Sequence, residues 1–553
     1  MYDVMIKGDI VPSTIGHILN ELMPSLKGYL EQARWFGSKS QTINHLSVFD
    51  YVAISKLMGI REVFYILQLL KVKYESNEEI YFLPMVLTKS NTWTTDAHSR
   101  ILAGISSDSS SDRWLAIDGS SDKNLCALLF TAAASHQKIL SAFGEFEFNP
   151  IINSKSESDP MTSKLKKGNS DILIDFINSE QSNSSVILNK KIILKIIRKI
   201  ERGINPEKEI TLFLNDAQFP NCPQLVASID YIREGSFFGN IGIAEKYIVN
   251  EGSCWDYYLN GVDTLFEFIT ENNFSFDPDL SKKIILDQFE DGIFAAYKLG
   301  QVTGRMHACL SSEARLDVFK KESINEVDTD KWKSVIQDNF FTFENLITDK
   351  VIDKNFFGFP RPDLLITLRQ FLPSVLDKLN LLITNNLSKI RIHGDYHLGQ
   401  VLRIGGDFMI IDFEGEPARP LNYRRDKFSA LKDVAGMLRS FSYSTYSPLL
   451  INKPNRPDYR GLTSDLIKWA KDWNIRLSRS FLQGYWQAAS MESSFTIVPP
   501  DKHSATECLM PFLIEKLVYE LLYELNNRPT WVKIPMIGVE EILEWEHNFL
   551  SDY

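Results

Sequence analysis

The sequence contains little cysteine and no excess of positive charge. Its 5 cysteines among 553 residues are scattered, without the paired spacing of a zinc finger or a redox motif. A sparse, odd number of thiols is typical of proteins in a reducing compartment and argues against a disulfide-stapled secreted domain. The formal net charge of −11 excludes nucleic acids and anionic membranes as main partners, because both are bound by basic surfaces.

Other sequence signals are missing as well. No hydrophobic run is long enough to cross a bilayer, and the first residues lack the basic and then apolar pattern of a secretion signal. The sequence has no H-E-x-x-H zinc motif and no nucleophilic serine elbow. We therefore expect a cytoplasmic protein, a monomer or a homodimer, whose chemistry uses neither zinc nor a serine nucleophile.

The composition that remains is that of a globular protein, with 44% hydrophobic and 24% charged residues. Strand-like patterns dominate up to about residue 250, and helical periods dominate after it. We predict an α+β fold in three parts: a cap subdomain at residues 1–130, a β-rich intermediate subdomain at 131–250, and a mostly helical lobe at 251–553. Residues 153–170, rich in serine and lysine, are predicted to form a loop or linker.

The strongest chemical signal is the stretch IRIHGDYHLGQVLRIGGDFMIIDFEGEP. Asp395 lies in a polar turn, Gln400 follows five positions later, and the second of two short predicted strands leads to Asp412. Phosphoryl transfer needs one carboxylate beside the acceptor hydroxyl, and a second carboxylate with an amide oxygen to hold Mg²⁺. Because the order matches the protein-kinase pattern, we predict Asp395 as the catalytic base. The predicted magnesium ligands are Gln400, Asp412 and Glu414, and a plain surface hairpin is the alternative.

A second signal, upstream in the chain, predicts where ATP binds. The SNSS turn places Ser182, Asn183 and Ser184 between two strands, where backbone N–H groups and hydroxyls would cradle phosphates. Lys195 lies within an apolar strand, where an unpaired lysine is costly to bury. We predict that Glu209, on the next helix, pairs with Lys195 and that the pair positions the phosphates. The alternative is a lysine whose amine reaches solvent from an edge strand.

Two further residue assignments come from local context. The stretch AEKYIV is predicted to connect the two lobes, with backbone groups near Glu245 and Tyr247 bonded to adenine. A plain connecting strand would have the same sequence, so that alternative stays open. His307 falls within an amphipathic helical pattern, and we predict a packed or hydrogen-bonded helix residue rather than a ligand.

Residues 512–527 predict one helix with aromatic and charged side chains on a shared face. Lys516, Tyr519, Glu520 and Tyr523 are spaced at i, i+3, i+4 and i+7. Tyrosine rings stack on the apolar faces of sugars while polar groups bond the hydroxyls, so this face predicts a disaccharide pocket. A solvated helix face is the alternative. Weaker candidates for sugar contacts flank the catalytic and metal carboxylates: His393, Glu416 and Arg419.

Long stretches of the chain resemble bacterial maltokinases, which are similar in their core to aminoglycoside phosphotransferases. The resemblance rests on ARWFGSKS, EQSNSS, LKIIRKIERGINPEKEI, HGDYHLGQVL, IDFEGEPARPL, LKDVAGMLRSFSY and EKLVYELLYELNNRPTWVKIPM. It implies a bilobal protein-kinase-like fold with an N-terminal cap subdomain and a mostly helical C-lobe. It also implies ATP and Mg²⁺ as cofactors, maltose as substrate, and maltose 1-phosphate and ADP as products.

The resemblance has further implications for the pocket and the partners. Lys516, Tyr519 and Tyr523 fall where maltokinases hold maltose, and Tyr396, where that family more often has leucine, is expected to pack. The product would feed α-1,4-glucan synthesis, and trehalose synthase, which supplies maltose, would be an associated protein.

Two other functions remain open from the residues themselves. A kinase of glucosamine or of an aminoglycoside would share the catalytic hairpin, since pocket residues decide the acceptor. A non-catalytic kinase-like scaffold that binds a sugar or a partner enzyme is the second alternative, and the presence of the whole predicted catalytic set argues against it. The cap is predicted to do no chemistry, unless its RWFGSKS segment reaches the phosphate-binding turn.

Overall fold

A computed structural model describes most of the chain, and its described residues divide into two compact units. The described residues are 2–39, 41–58, 61–92, 100–151, 172–177, 183–312, 317–351, 362–452, 463–490 and 497–548. The predicted loop at 153–170 and Ser182 lie outside the described residues. Unit 1 consists of Met1–Asn215, Pro223–Ile248 and Pro417–Tyr423, and unit 2 of Asp216–Cys222, Val249–Glu416 and Arg424–Tyr553.

The elements alternate early in the chain and are mainly helical later. The helices are α1 (Ile15–Glu21), α2 (Met23–Gln32), α3 (Lys123–Ala134), α4 (Pro206–Asp216), α5 (Cys254–Glu271), α6 (Pro278–Gln288), α7 (Glu290–Leu310), α8 (Glu326–Val351), α9 (Pro362–Asp377), α10 (Asn380–Thr384), α11 (Leu421–Arg424), α12 (Leu431–Ser447), α13 (Thr463–Ser490), α14 (Lys502–Asn527) and α15 (Lys533–Asn548). The strands are β1 (Tyr2–Ile6), β2 (His45–Met58), β3 (Arg61–Lys73), β4 (Glu78–Phe82), β5 (Met85–Lys89), β6 (Ile101–Ser107), β7 (Arg113–Asp118), β8 (Lys138–Leu140), β9 (Gly144–Pro150), β10 (Ile174–Phe176), β11 (Ser184–Leu188), β12 (Ile192–Ile196), β13 (Lys199–Ile200), β14 (Leu225–Arg233), β15 (Ser236–Lys246), β16 (Glu322–Ser323), β17 (Ser388–Lys389), β18 (Val401–Ile404) and β19 (Asp407–Ile410).

Unit 1 is built on two sheets. In the first, the described strands follow the order β1, β6, β7, β5, β3, β4 and β13, with β2 paired to β3. The pairing of β1 with β6 is parallel. In the second sheet the described strands follow the order β10, β11, β12, β15, β14, β9 and β8, and the pairings are antiparallel.

Strand β3 shows why the first sheet is buried on both faces. Because successive side chains of a strand point to opposite faces, Phe64 and Ile66 join one hydrophobic core with α1 and α2. Tyr65 and Leu67 join a second core on the other face, which also contains residues of α3 and of the second sheet. Each fully buried side chain of this kind contributes roughly 1.5–3 kcal/mol of transfer free energy.

The second core extends across one domain boundary expected from the sequence. Phe130, at the predicted end of the cap subdomain, is 2% exposed in a core that contains both Leu67 and Ile243. Residues from the predicted cap and from the predicted intermediate subdomain therefore share one hydrophobic interior. The strand pattern of each region shows only its own strands. The order of the strands in the sheet is set by pairings between strands distant in the chain, such as β4 with β13.

Unit 2 is mostly helical, and two of its helices, α7 and α13, cross at very short distance. A Cβ atom added at Gly300 of α7 would lie 2.0 Å from the carbonyl oxygen of Phe481 on α13. A Cβ atom at Gly484 of α13 would lie 1.9 Å from the carbonyl oxygen of Tyr297 on α7. The two backbones touch because these positions carry no side chain, which is the close packing that glycine permits between helices.

The predicted catalytic hairpin forms in unit 2. Strands β18 and β19 pair antiparallel, and Gly405 and Gly406 adopt positive φ angles of 54° and 82° in the turn between them, as a tight hairpin turn requires. The short strands predicted in VLRI and FMII are thereby confirmed. Among the described residues, none of the helices combines the length and the apolarity that crossing a bilayer requires.

Candidate functional site

Strand β12 positions the predicted nucleotide lysine in unit 1. Its burial alternates along the strand, so Leu194 and Ile196 enter the core while Lys195 faces the other side, with 13% of its side chain exposed. The Lys195 amine forms an ion pair with Glu207. Its Nζ atom also lies 3.6 Å from Oε2 of Glu245, on the neighbouring strand β15.

The sequence predicts Glu209 as the partner of Lys195, and the structure shows Lys195 in an ion pair with Glu207. Two residues along a helix correspond to a rotation of roughly 200°, so the two glutamates of α4 face nearly opposite directions. Asn205 sets which one faces the sheet, because its side-chain Oδ1 accepts the N–H of Glu207 at 2.8 Å. The N–H of Asn205 in turn donates to Oδ1 of Asn240 at 2.7 Å.

The predicted adenine contact is also corrected in part. The N–H of Tyr247 donates to the carbonyl oxygen of Lys191 at 2.7 Å, so this donor is not available to a base. Glu245 lies within β15, paired with Ile193 on one side and Leu225 on the other. Its carboxylate acts on Lys195, which gives it a role in charge balance that the sequence did not suggest.

The loop that carries Asp395, in unit 2, is tied to a buried carboxylate. Asp433 on α12 accepts the N–H groups of His393 and Gly394 at 2.8 and 2.9 Å. Its Oδ2 also lies 3.1 Å from Nε2 of His307. Burial by itself raises the pKa of Asp433, but the hydrogen bond and charge of His307 outweigh it and hold the pKa below its usual value. The loop that carries Asp395 is therefore anchored from behind by a charged acceptor.

Sequence reasoning missed Asp433, although it left a signal. An aspartate within the apolar helix LKDVAGML is costly to bury unless donors surround it. His307 is confirmed as a hydrogen-bonded helix residue, since its Nδ1 lies 2.9 Å from the hydroxyl of Tyr485. Tyr396 packs as expected, with its hydroxyl 2.8 Å from Oγ1 of Thr303.

His393, a weaker candidate for a sugar contact, is instead part of the interior. It is 1% exposed, and its Nε2 lies 3.0 Å from the carbonyl oxygen of Ile411. Its ring centroid lies 5.3 Å from that of Tyr396 and 4.9 Å from that of Phe413. The imidazole of His393 therefore packs in the interior of unit 2 rather than facing solvent.

The predicted metal ligands come together in the hairpin. Nε2 of Gln400 donates to Oδ2 of Asp412 at 2.8 Å, which leaves the amide oxygen of Gln400 for another contact. Carboxylate oxygens of Asp412 and Glu414 lie within 4.8 Å of each other. Asp412 adopts a φ of 67°, a left-handed conformation that costs a non-glycine residue roughly 1–2 kcal/mol. Hard oxygen donors of this kind fit Mg²⁺.

His397 is a second residue of the loop that the sequence did not single out. Its Nδ1 accepts the N–H of Gly399 at 3.1 Å, and its Nε2 lies 4.0 Å from Oδ2 of Asp395. Burial lowers the pKa of the imidazole; the charge of Asp395 opposes this shift and that of Lys516 adds to it, so the pKa lies below its usual value. Lys516 of α14 is therefore within electrostatic range of the catalytic loop.

Helix α14 presents part of the predicted sugar-binding face. The rings of Tyr519 and Tyr523 lie 6.2 Å apart at 26°, and Nζ of Lys516 lies 5.1 Å from the centroid of Tyr519. Glu520 does not join them: it is 7% exposed and accepts from Nε of Arg439 at 2.9 Å. One residue along a helix is a rotation of 100°, which turns Glu520 from the tyrosines toward α12.

The other predicted residues stay candidates. Asn183 and Ser184 are half-buried at the start of β11. Glu416 is half-buried after the hairpin. The guanidinium of Arg419 lies over the ring of Tyr423, 5.1 Å from its centroid.

Comparisons with known proteins identify similar kinases. No family model matches the chain. It is 24% identical over 257 residues to a glucosamine kinase from Streptacidiphilus jiangxiensis, which covers 46% of this chain and 50% of that protein. It is 28% identical over 153 residues to a glucosamine kinase from Mycolicibacterium smegmatis, covering 28% and 34%. The alignments thus span half or less of these curated relatives.

A solved structure extends the likeness over nearly the whole chain. A glucosamine kinase, in its crystal form A, matches with a TM-score of 0.51 at 15% identity, over 92% of this chain and 94% of that one. At this identity the match concerns the fold alone. The predicted kinase-like α+β fold is confirmed: the chain has the fold of that kinase.

Proposed function

We propose that the chain is an ATP-dependent kinase that phosphorylates a hydroxyl group of a sugar. The observation that carries the proposal is the loop of Asp395, which is anchored by the buried Asp433 and continues into the hairpin of Gln400 and Asp412. A non-catalytic scaffold would not need a charged anchor behind this loop. The fold likeness to a kinase supports the same reaction class.

In the proposed reaction, Asp395 orients the acceptor hydroxyl and takes its proton as the oxygen attacks the γ-phosphate of ATP. The lowered pKa of His397 favours the neutral imidazole beside Asp395. Lys195 would hold the α- and β-phosphates, with its amine oriented by Glu207 and Glu245. These roles need fixed positions: Lys195 is held by its two glutamates, and the loop of Asp395 is held through its backbone by Asp433.

The metal site fits Mg²⁺ by its chemistry. Asp412 and Glu414 offer carboxylate oxygens within 4.8 Å of each other, and Gln400 offers an amide oxygen, so these residues would hold the ion. When bound, Mg²⁺ would neutralise phosphate charge. Gln400 keeps the Asp412 carboxylate in place by its hydrogen bond.

Maltose is the proposed acceptor, with maltose 1-phosphate as product and trehalose synthase as a proposed associated protein. The support is the paired tyrosines of α14, whose apolar rings suit the faces of a disaccharide. Glucosamine is the second candidate, and the sequence similarity to two glucosamine kinases favours it. Its ammonium group needs an acidic partner, which maltose does not.

The reaction class is tested by ADP release over a panel of maltose, glucosamine and kanamycin. Asp395→Asn should lower kcat about 100-fold or more on the active acceptor, because the base and its orienting hydrogen bond are lost. ATP binding, measured by calorimetry, should be unchanged. Asp426→Asn is the matched control, since that carboxylate is 43% exposed in a surface ion pair. Near-normal turnover of Asp395→Asn would remove the catalytic assignment.

The acceptor pocket is tested with Tyr519→Ala. Loss of one aromatic contact should raise KM for maltose about tenfold and leave KM for ATP unchanged. Tyr523→Ala, at a ring that is 43% exposed, should have a smaller effect. If glucosamine is the active acceptor and neither tyrosine affects its KM, the disaccharide pocket is disproved while the kinase assignment stands.

A further inference from the structure

Arg198 is a fully buried cation in unit 1, at 0% exposure. Its Nη2 donates to Oδ1 and Oδ2 of Asp118 at 3.1 and 2.8 Å and to the hydroxyl of Ser120. Burial raises the pKa of Asp118, but the charge of Arg198 and the hydroxyl of Tyr29 outweigh this and lower it overall. A buried pair of this kind gains little net stability over an apolar pair, so its presence suggests a role beyond stability.

A second nitrogen of the same guanidinium contacts the stretch predicted to bind phosphate. Nε of Arg198 donates to Oγ of Ser184 at 2.9 Å. The backbone N–H of Arg198 donates to Oδ1 of Asn183 at 3.4 Å. Arg198 therefore contacts two consecutive residues of the SNSS stretch, Ser184 through its side chain and Asn183 through its main chain.

The RWFGSKS segment lies under this arginine. The guanidinium lies over the ring of Trp35, 4.5 Å from its centroid, in a cation–π contact. Trp35 and Phe36 both pack on Tyr81, with ring centroids 5.9 and 5.0 Å apart. Ser38 donates to Oε2 of Glu79 at 2.9 Å. Residues 35–38 are thereby held against the first sheet.

We propose that Arg198 is a positioning residue for ATP, with RWFGSKS as its support. The guanidinium links the first sheet, through Asp118 and Trp35, to the turn that would cradle the phosphates. The inference rests on the proposed function, because it assumes that the Asn183–Ser184 turn binds nucleotide. The cap then contributes to nucleotide affinity without touching the nucleotide.

A double-mutant cycle tests the link. Arg198→Lys keeps the positive charge beside Asp118, but a single amine cannot bond Asp118 and Ser184 as the planar fork does. We expect KM for ATP to rise about tenfold, with KM for the sugar changed less than about twofold. Ser184→Ala should raise KM for ATP about threefold, and the double variant should be no worse than Arg198→Lys, because the shared hydrogen bond is already lost.

Controls separate this role from a general loss of structure. Ser236→Ala, at an exposed position of the second sheet, which also contains Ser184, should leave both KM values unchanged. If Arg198→Lys does not fold, Trp35→Phe serves in its place, because a smaller ring weakens the cation–π contact with Arg198 but keeps the hydrophobic core. Trp35→Phe should raise KM for ATP about twofold, and its effect should not be additive with that of Ser184→Ala.

The outcomes are distinguishable from failure of the proposed function. If calorimetry with Mg-ATP finds no binding to the wild-type protein, the proposed function and this inference fall together. If the wild type binds ATP and the effects of Arg198→Lys and Ser184→Ala simply multiply, the arginine does not act through the serine and this inference alone is overturned. Equal changes in both KM values would have the same meaning.

Discussion

The two units hold their candidate site residues by different means. In unit 1, Lys195 is held by opposite charges on other side chains, Glu207 and Glu245. In unit 2, the loop of Asp395 is held through its backbone, because Asp433 accepts two consecutive main-chain N–H groups. A side-chain ion pair orients one amine, whereas a carboxylate bound to the main chain fixes the path of the chain.

The difference affects what a substitution removes. Lys195 keeps one carboxylate when the other is lost, so part of the charge balance survives. The N–H groups of His393 and Gly394 share the single acceptor Asp433, and its loss leaves buried donors unsatisfied. We therefore expect larger losses of stability from changes to the anchor in unit 2 than from changes to the pair in unit 1.

The largest effect is expected for Asp433→Asn. The amide offers one neutral acceptor in place of a buried charge, so the free energy of unfolding should fall by roughly 3 kcal/mol or more, and kcat should fall with it. Because the folded-state pKa of Asp433 is lowered, its contribution is present above the unfolded pKa and is lost as the pH falls through the folded value. Urea unfolding at several pH values measures both effects.

The control for this variant is Asp317→Asn, at a carboxylate whose side chain is 88% exposed in a surface pair. It should leave the free energy of unfolding close to that of the wild type, because solvent screens this exposed pair. The anchor hypothesis fails if the Asp433 and Asp317 variants are equally stable, or if only stability falls and kcat per folded molecule is unchanged.

An intermediate effect is expected for Gly484→Ala. This variant tests whether the packing of the helices in unit 2 affects the loop of Asp395. The added methyl group would lie 1.9 Å from the carbonyl oxygen of Tyr297, so α7 and α13 must separate at a cost of about 1–3 kcal/mol. Gly261→Ala on α5, with no atom within 4 Å of its new methyl group, should instead stabilise by up to about 1 kcal/mol.

Thermal unfolding measures this pair of glycine variants, and steady-state kinetics provides the second measurement. Near-normal KM values in folded Gly484→Ala would show that the crossing supports the unit without setting the site. A large rise in one KM would mean that the scaffold and the loop are coupled, which would break the comparison drawn above.

The smallest effect is expected in unit 1, where two glutamates of one helix are compared. Glu207→Gln removes a charge from Lys195 but leaves Glu245, so KM for ATP should rise about tenfold or less. Glu209→Gln should raise KM for ATP less than Glu207→Gln does, because the carboxylate of Glu207 forms the observed ion pair with Lys195. The reverse ranking of KM values would restore the pairing expected from the sequence.

The hairpin of unit 2 could be predicted because it is local. Asp395, Gln400 and Asp412 lie within 18 consecutive residues, and the turn glycines and short apolar runs between them indicate the same hairpin. The identity of the pair on Lys195 could not be predicted in this way. Glu207 and Glu209 are equally acidic and both lie in the first turn of α4, and only the orientation of the helix distinguishes them.

By itself, the sequence determined the α+β class and the hairpin of β18 and β19, because these depend on periodicity and on residues close together in the chain. Tertiary structure decided which distant side chains became partners. Asp433 accepts hydrogen bonds from the loop of Asp395, and Glu520 accepts one from Arg439. Arg198 lies over the ring of Trp35 and donates to Ser184. These partners depend on the rotation of each helix about its axis and on which strands pair across long separations in the chain. A buried charge must be hydrogen-bonded, so its partner is the polar group that the packing places within hydrogen-bond distance.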